Sequence, residues 1–291
     1  MNKTLAVLTG IVLFVPESAS SQVSGQELLG YVKKIEGKTN QDRRAVIKDQ
    51  LRRWKVRYQT MPFKAATRTQ SSPVSGENII VPMGKGSKKI VVGAHCDAAP
   101  GSPGANDNGG GVAVLLGLIK SFNDYPWKYK VDFCFYDQEE AGLLGSREYA
   151  KRVNDKDHLA MVNLDVEGMG DELFVGPVGG GDDDFIMPLA RQAAKQIGYT
   201  LTERPQYPPS DHISFANARL ENISVSVVPK GDPDKLVSMF SGQSADTSNY
   251  PLVMKVMHTP HDSSRYMSAR ALSMSFNFTS TLLKLLNESK K

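Results

Sequence analysis

Cysteine is scarce in this sequence, with only Cys96 and Cys134 among 291 residues. Two cysteines cannot build the disulfide framework that holds many small secreted domains together. Each lies in or beside an apolar run, so we expect two buried free thiols, with one bridge between neighbouring strands as the alternative. Strand alternation points the Cys96 side chain away from that of His95, so Cys96 is not expected to bind a metal.

An excess of charge of one sign is also missing. Lys and Arg total 35 against 31 Asp and Glu, which gives a net charge of +4. Proteins that bind nucleic acids typically concentrate basic residues on one surface, and here they are spread out, so no nucleic-acid partner is expected. The densest basic stretch, from Arg43 to Arg57, has apolar residues at helical spacing. It is interpreted as the solvated face of an amphipathic helix.

Long hydrophobic runs are missing except near the N-terminus. Lys3 precedes an apolar stretch over residues 5–15, which is too short to span a bilayer and ends at Pro16. Small residues follow, a pattern typical of a signal peptide. We therefore predict a signal peptide over residues 1–20 and a single domain over 21–291, exported to the periplasm or secreted. No stable membrane insertion is expected after cleavage; a buried first helix or an uncleaved anchor is the alternative.

Strand and helix patterns alternate along the rest of the chain. Strands are predicted over residues 78–82, 88–93, 130–136, 159–165, 172–175 and 222–228, and helices over 26–58, 109–122, 139–153, 185–197 and 268–287. This alternation predicts an α/β fold with a mostly parallel, mixed central sheet sandwiched by helices. Ligand sites in such folds form at the carboxyl ends of the strands.

Side chains that can bind metals collect in four segments, which supply His95, Asp97 and Asp107, then Glu139 and Glu140, then Asp165, and last His258 and Asp262. The residues at or just after predicted strand ends are His95, Asp107, Glu139, Glu140 and Asp165. Taken singly, each has an ordinary structural interpretation, such as an acidic residue beside a helix N-terminus. Together they supply two imidazoles and several carboxylates, which suit zinc, with manganese or cobalt as substitutes. A two-metal centre needs one bridging carboxylate and terminal ligands on each side.

Six motifs in a fixed order resemble one known family. They are H-x-D, P-G-A-x-D-N-x-x-G, a Glu-Glu pair, N-x-D, S-D-H and H-T-x-x-D. Together they resemble the M28 metallopeptidases, the co-catalytic zinc aminopeptidases of the bacterial leucyl aminopeptidase type. The resemblance implies a zinc-dependent exopeptidase-like fold and two Zn²⁺ per chain. It also implies a peptide substrate with a free N-terminus, and no oligomer is required.

The resemblance also implies a role for each metal ligand. Asp107 bridges both metals. His95 and Asp165 complete the set around one metal, and Glu140 and His258 complete the set around the other. The Asp107–Asn108 peptide bond is implied to be cis.

Three further residues receive catalytic roles from the resemblance. Glu139 is the general base, which takes a proton from the water that bridges the metals and passes it to the leaving amine. Asp97 orients the imidazole of His95 from behind. Tyr207, three residues before Ser-Asp-His, helps to bind the oxyanion, with a loop aromatic that covers the site as the alternative.

The remaining motif residues carry weaker expectations. Asp262 is expected to act near His258 as Asp97 does near His95. His212 is expected to organise its loop through hydrogen bonds, and His158, which matches no motif, to lie at the surface.

Three competing functions stay open at this stage. A glutaminyl-peptide cyclotransferase shares the implied fold but uses one zinc and is expected to disrupt the first-metal set, which is intact here. A carboxypeptidase of the same fold needs a basic pocket for the substrate carboxylate, and Arg204 and Arg265 are the candidates. A catalytically inactive binding homologue is the alternative outside enzymes, although such proteins typically lose the base or the ligands.

Overall fold

One sheet of eight strands organises the protein. The computed structural model describes residues 23–67, 72–178, 185–242 and 250–290, so the predicted signal peptide lies outside the described residues. The strands are β1 (Gln59–Ala65), β2 (Val74–Met83), β3 (Lys89–His95), β4 (Lys130–Tyr136), β5 (His158–Leu164), β6 (Glu172–Gly176), β7 (Leu201–Glu203) and β8 (Asn222–Val228). Their order across the sheet is β1-β2-β4-β3-β5-β8-β6-β7.

The centre of this sheet is parallel and its flanks are mixed. Strands β4, β3, β5 and β8 run parallel, whereas β1, β2 and β6 pair antiparallel with their neighbours on the inner side. Among the described strands, four of the seven pairings are parallel. The central strands are apolar runs buried on both faces, as parallel strands require. The predicted mostly parallel, mixed sheet is therefore confirmed.

Helices cover both faces of the sheet. They are α1 (Gly25–Ile35), α2 (Asn40–Arg53), α3 (Gly111–Phe122), α4 (Leu144–Ala150), α5 (Ile186–Gln196), α6 (His212–Asn217), α7 (Asp232–Phe240) and α8 (Ala269–Glu288). Helices α1, α3, α5 and α8 pack together on one face, and α4 and α6 on the other. At Gly117 of α3, an added Cβ would lie 2.6 Å from a methyl of Leu28, so glycine permits the close approach of α1. No described helix is long and apolar enough to cross a membrane.

Two predicted helices differ from the structure. The stretch 26–58 contains two helices, because Gly37 adopts φ +69° and Thr39 caps the start of the second. The stretch 139–153 is helical only from Leu144, because Gly142 and Leu143 both have positive φ. The Glu-Glu pair therefore lies in a turn ahead of the helix rather than inside it.

Several burial predictions can be compared with the structure. Cys96 and Cys134 are buried free thiols, as expected. The prediction for His158 is wrong: this residue begins a buried strand, and its Nε2 lies 2.8 Å from the carbonyl of Glu221. The interpretation of Arg43 as part of a solvated face is also wrong, because its side chain is fully buried. Strand β1, which was not predicted, lies at the edge of the sheet and alternates between exposed and buried residues.

Candidate metal centre

Five side chains from five separate segments meet at the carboxyl edge of the parallel strands. His95 is the last residue of β3, and Asp165 follows β5 directly. Glu140 lies in the turn after β4, while Asp107 and His258 come from long connections. These are the five residues predicted as ligands, and the fold brings all five together.

The five residues form two triads that share one carboxylate. In the first, Nε2 of His95 lies 3.1 Å from Oδ1 of Asp107 and 3.4 Å from Oδ1 of Asp165. In the second, Nε2 of His258 lies 2.9 Å from Oδ2 of Asp107 and 3.2 Å from Oε2 of Glu140. Within each triad the candidate ligand atoms lie within 4.8 Å of one another. Asp107 thus offers one oxygen to each triad, which is the geometry of a bridging carboxylate.

The chemistry of this cluster fits two zinc ions. Buried polar atoms normally have hydrogen-bond partners, yet Oε1 of Glu140 and Oδ1 of Asp165 are buried without one. Imidazole nitrogens and carboxylate oxygens are the donors that zinc accepts in catalytic sites. Each triad supplies three protein ligands, which leaves a position open as catalytic zinc sites require.

Proton positions in the metal-free site reflect the crowding of these groups. Hydrogen bonds to Asp107 and Glu140 raise the pKa of His258 to about 10. Burial disfavours the charged form of Asp107, but the two imidazoles outweigh burial and hold its pKa below the usual range. In the metal-free protein the imidazoles therefore carry protons on the nitrogens that would bind the metals, and metal binding has to displace those protons.

Asp97 connects the first triad to the Glu-Glu turn. Its Oδ1 lies 3.5 Å from Nδ1 of His95, on the side of the ring opposite the triad. The same carboxylate accepts the backbone N–H groups of Glu139 at 3.1 Å and Glu140 at 3.2 Å. Asp97 therefore positions one imidazole and one acidic turn at once; the H-x-D motif predicts only the first of these contacts.

Glu139 belongs to neither triad but lines the same cavity. Burial raises the pKa of its carboxyl well above the ordinary value, and the positive charge of His95 opposes that effect. A carboxylate beside a metal centre, with a raised pKa and a cavity in front of it, has the properties of a general base.

Asp262 has a different position from the expected one. Its carboxylate accepts the backbone N–H groups of Asn106 at 2.7 Å and Asp107 at 3.1 Å. It therefore holds the loop that carries the shared ligand, and the structure shows no contact with His258 of the kind that Asp97 makes with His95. The backbone of this loop is irregular, so its N–H groups have no strand partner, and the Asp262 carboxylate supplies acceptors for two of them.

Tyr207 lies in the wall of the cavity. Its ring stacks on Phe174 with centroids 4.4 Å apart. The hydroxyl of Ser226 donates to the carbonyl oxygen of Asp165, so Tyr207 donates its own proton to Ser226. The phenol is therefore linked through Ser226 to the backbone of Asp165, and its role toward an oxyanion stays a prediction.

Two buried acids near the centre were not predicted. Glu167 is fully buried, and its Oε1 accepts the N–H of Asp165 at 3.1 Å. Asp211 is also fully buried, and burial raises its pKa to about 7. Asp211 belongs to the S-D-H motif, a signal that could have identified it, whereas nothing in the pattern around Glu167 distinguishes that residue from a surface acid. His212, in the same motif, hydrogen-bonds Ser224 through Nδ1 at 2.9 Å, as expected.

A cavity of about 140 Å³ opens beside the two triads. Its outer wall is apolar and includes Val166, Phe174, Val228, Leu236, Phe240 and Val253. A cavity of roughly 150 Å³ holds a benzene molecule, so this space is large enough for one apolar side chain. No Lys or Arg lines the cavity among the described residues. Residues 229–250 were predicted either to overhang the site or to lie on the surface. Helix α7 from this region forms part of the wall, and residues 243–249 lie outside the described residues.

The stability of the metal-free protein is expected to fall as pH rises from about 5 to about 8. Burial raises the pKa of Asp211 to about 7 and that of Asp262 to about 6, above the unfolded value. Carboxyls of this kind stabilise the fold below the unfolded pKa, and that contribution is lost as pH rises through the folded pKa. His258, with its raised pKa, changes stability in the same direction, whereas burial lowers the pKa of His212 to about 4 and opposes the trend below about pH 6.5. Thermal unfolding of chelator-treated protein across this range measures the effect.

Zinc is expected to reverse this pH dependence, because metal binding displaces protons and is favoured at higher pH. The increase in Tm on adding zinc should therefore be larger at about pH 8 than at about pH 5.5. Asp211→Asn should flatten the pH profile of the metal-free protein. A metal-free Tm that rises across this range would contradict the prediction.

Comparison with known proteins identifies relatives of this chain. Residues 78–283 match the sequence profile of peptidase family M28. Aminopeptidase YwaD of Bacillus subtilis is 29% identical over 244 residues, which are 80% of this chain and 48% of that protein. A probable lipoprotein aminopeptidase, LpqL of Mycobacterium tuberculosis, is 35% identical over 104 residues, or 35% of this chain and 21% of that protein. The chain thus spans half or less of the length of these curated relatives.

Solved structures confirm the fold. BSAP, a zinc aminopeptidase from Bacillus subtilis, superposes with a TM-score of 0.72 at 15% identity, covering 90% of this chain and 94% of that one. A glutaminyl cyclase from an Acidobacteriales bacterium superposes with a TM-score of 0.71 at 19% identity, covering 99% of both chains. At these identities the likeness shows a shared fold and does not separate the two activities.

Proposed function

This chain belongs to peptidase family M28, and from that membership we propose that it is a zinc-dependent aminopeptidase that removes N-terminal residues from peptides. One observation carries the proposal. Two ligand triads meet at the two oxygens of Asp107, directly beside a cavity with an apolar wall. The aminopeptidases among the relatives support the same activity.

The residues of the two triads would hold the metals. His95, Asp107 and Asp165 would bind one zinc ion, and Asp107, Glu140 and His258 the other. Bound zinc supplies Lewis-acid polarisation of a carbonyl and lowers the pKa of water toward neutrality. The chain itself supplies the fixed geometry, through Asp97 behind His95 and Asp262 behind the Asp107 loop.

Glu139 would move the proton that peptide hydrolysis requires. Its carboxylate accepts a proton from the attacking water and then gives it to the amine that leaves the cleaved bond. Burial, which raises its pKa, makes the carboxylate basic enough for the first transfer. The hydrogen bond that the backbone N–H of Glu139 donates to Asp97 fixes the turn from which the Glu139 side chain projects.

The lining of the cavity argues against a substrate carboxylate. Glu139, Glu140 and Asp165 are among its residues, and no Lys or Arg of the described chain joins them to pair with a substrate carboxylate. The two arginines considered for a carboxypeptidase lie elsewhere. Arg204 pairs with Asp234 at 2.6 Å, and Arg265 stacks on the ring of Tyr266. The described structure thus offers no basic pocket for a substrate carboxylate.

The apolar wall of the cavity predicts the preferred substrate. Aminoacyl p-nitroanilides with Leu, Met or Phe should be cleaved at least about 100-fold more efficiently than those with Asp or Lys, because a buried charge finds no partner there. N-acetylated versions of the same substrates should not be cleaved. Initial rates with zinc-reconstituted protein measure both comparisons, and chelator-treated protein provides the control.

Hydrolysis of the N-acetylated substrates at similar rates would contradict an aminopeptidase. A glutaminyl cyclase shares this fold, so cyclisation of N-terminal glutamine is the alternative activity. Peptides with N-terminal glutamine should therefore be tested beside the p-nitroanilides. Cyclisation of those peptides, without hydrolysis of any anilide, would replace the proposed function.

The proposed location of the enzyme rests on the signal-peptide pattern of residues 1–20. We place the protein outside the cytoplasm, in the periplasm or secreted, with the peptide as its partner and a single chain as the working unit. A relative described as a probable lipoprotein aminopeptidase supports this proposal.

A further inference from the structure

Arg43 is buried in a way that arginine rarely is. Its side chain is completely inaccessible to solvent, although it lies on α2 within a strongly basic stretch. Within the described part of the chain it forms no ion pair with a carboxylate. Burial of an unpaired guanidinium is costly, so its hydrogen bonds must offset a large desolvation penalty.

Those hydrogen bonds all go to the backbone of the loop between two metal ligands. Nε donates to the carbonyl of Cys96 at 2.6 Å. Nη1 donates to the carbonyl of Gly104 at 3.0 Å and to that of Pro103 at 3.3 Å. Cys96 follows His95 directly, and Gly104 lies three residues before Asp107. One side chain therefore joins the two ends of the loop that separates these ligands.

The loop fits closely around the guanidinium. Gly104 adopts φ +64°, and a Cβ added there would lie only 2.8 Å from Nη1. The first turn of α2 contributes a second contact, because Oδ1 of Asn40 accepts the N–H of Ala98 at 3.1 Å. Ahead of α2, the N–H of Gly37 donates to the carbonyl of Pro103 at 2.8 Å. This side of α2 thus forms the support on which the loop rests.

We propose that Arg43 is a positioning residue for the metal centre, and that the fork geometry of its guanidinium fixes His95 and Asp107 at the separation that metal binding requires. The inference rests on the proposed function, since it concerns the affinity of the same site for zinc. A flat group with several donors in a fixed arrangement can join two backbone segments, whereas an ammonium group is a compact point charge. Lysine at this position would satisfy one end of the loop and release the other.

Geometry and charge predict opposite effects of removing Arg43. Its positive charge interacts with Asp97, Asp107 and Asp262, and this charge disfavours a cation nearby. Removal of the charge alone would tighten zinc binding, whereas release of the loop would weaken it. Arg43→Lys keeps the charge and loses the fork, and Arg43→Met loses both, so the two variants separate the effects.

The test measures zinc affinity directly, by competition with a chromophoric chelator at a temperature well below unfolding. Loss of an outer-shell partner weakens metal binding roughly 10–100-fold, and both Arg43→Lys and Arg43→Met should show this loss. Ile47→Ala is the matched control. Ile47 is fully buried one turn along the same helix and its apolar side chain makes no hydrogen bond, so its truncation lowers Tm while leaving the hydrogen bonds to the loop in place. Its zinc affinity should stay within about threefold of wild type. The absorption spectrum of Co²⁺-substituted protein should change in the two Arg43 variants and not in the control.

The possible outcomes are distinct. Wild-type affinity in Arg43→Lys, or tighter binding in Arg43→Met, would overturn the inference while leaving the proposed function intact. Weakening in the Ile47→Ala control equal to that in Arg43→Lys would also overturn it, because general destabilisation would then explain both. Wild-type protein that binds no zinc would contradict the proposed function itself.

Discussion

Glu139→Gln is expected to lower kcat on leucine p-nitroanilide by roughly 10²–10⁴-fold, the contribution typical of general acid–base catalysis. Glutamine keeps the shape of the side chain and the backbone hydrogen bond to Asp97, but its amide cannot accept a proton and return it. Because Glu139 belongs to neither triad, zinc content should stay at the wild-type level. Steady-state kinetics with metal analysis of the same samples tests both statements.

The control for this variant is Glu148→Gln. Glu148 is an acidic residue of α4 that pairs with Lys151 at the surface, away from the cavity, and its replacement should leave kcat unchanged. Loss of activity in Glu139→Gln together with loss of metal would assign Glu139 to metal binding instead. Full activity would remove it from the mechanism.

Asp107→Asn is expected to weaken zinc binding at both positions, with a loss in affinity of more than about 100-fold, larger than outer-shell changes cause. The reason is that its two oxygens serve different triads. A neutral amide offers only one good acceptor in place of two carboxylate oxygens. Equilibrium dialysis followed by elemental analysis should find less than one zinc per chain, and hydrolysis should be lost with the metal.

Asp165→Asn provides the comparison for Asp107→Asn. Asp165 takes part in the first triad alone, so this variant should keep the metal held by Glu140 and His258. If Asp107→Asn and Asp165→Asn lost the same amount of zinc, Asp107 would not be a shared ligand.

Much of this molecule follows from local patterns in its sequence. The β-branched runs predicted the buried central strands, and the motif order predicted which side chains would meet. Strand ends in a parallel sheet share one edge, so His95, Glu140 and Asp165 had to lie near one another once the sheet was known. The family profile and the fold of known structures agree with these predictions.

Other features depend on contacts that no local pattern reports. The sequence around Arg43 is basic and is typical of an exposed helix face. Arg43 is buried because the loop between Cys96 and Gly104 packs over its side chain. Asp262 was expected to act near His258, four residues before it in sequence, whereas its partners are about 155 residues away. The start of α4 was misplaced because positive φ at Leu143, a residue that rarely adopts it, is imposed by the surrounding turn.

The distance in sequence between Asp262 and the loop it holds also sets an order of events during synthesis. A chain that folds as it emerges, N-terminal part first, acquires four of the five ligands by residue 165. The fifth, His258, and the carboxylate that fixes the Asp107 loop come nearly a hundred residues later. An incomplete chain therefore carries at most the first triad, on a loop without its anchor. The proposed activity would therefore require that residues 258–262 have been made and have folded against the loop that carries Asp107.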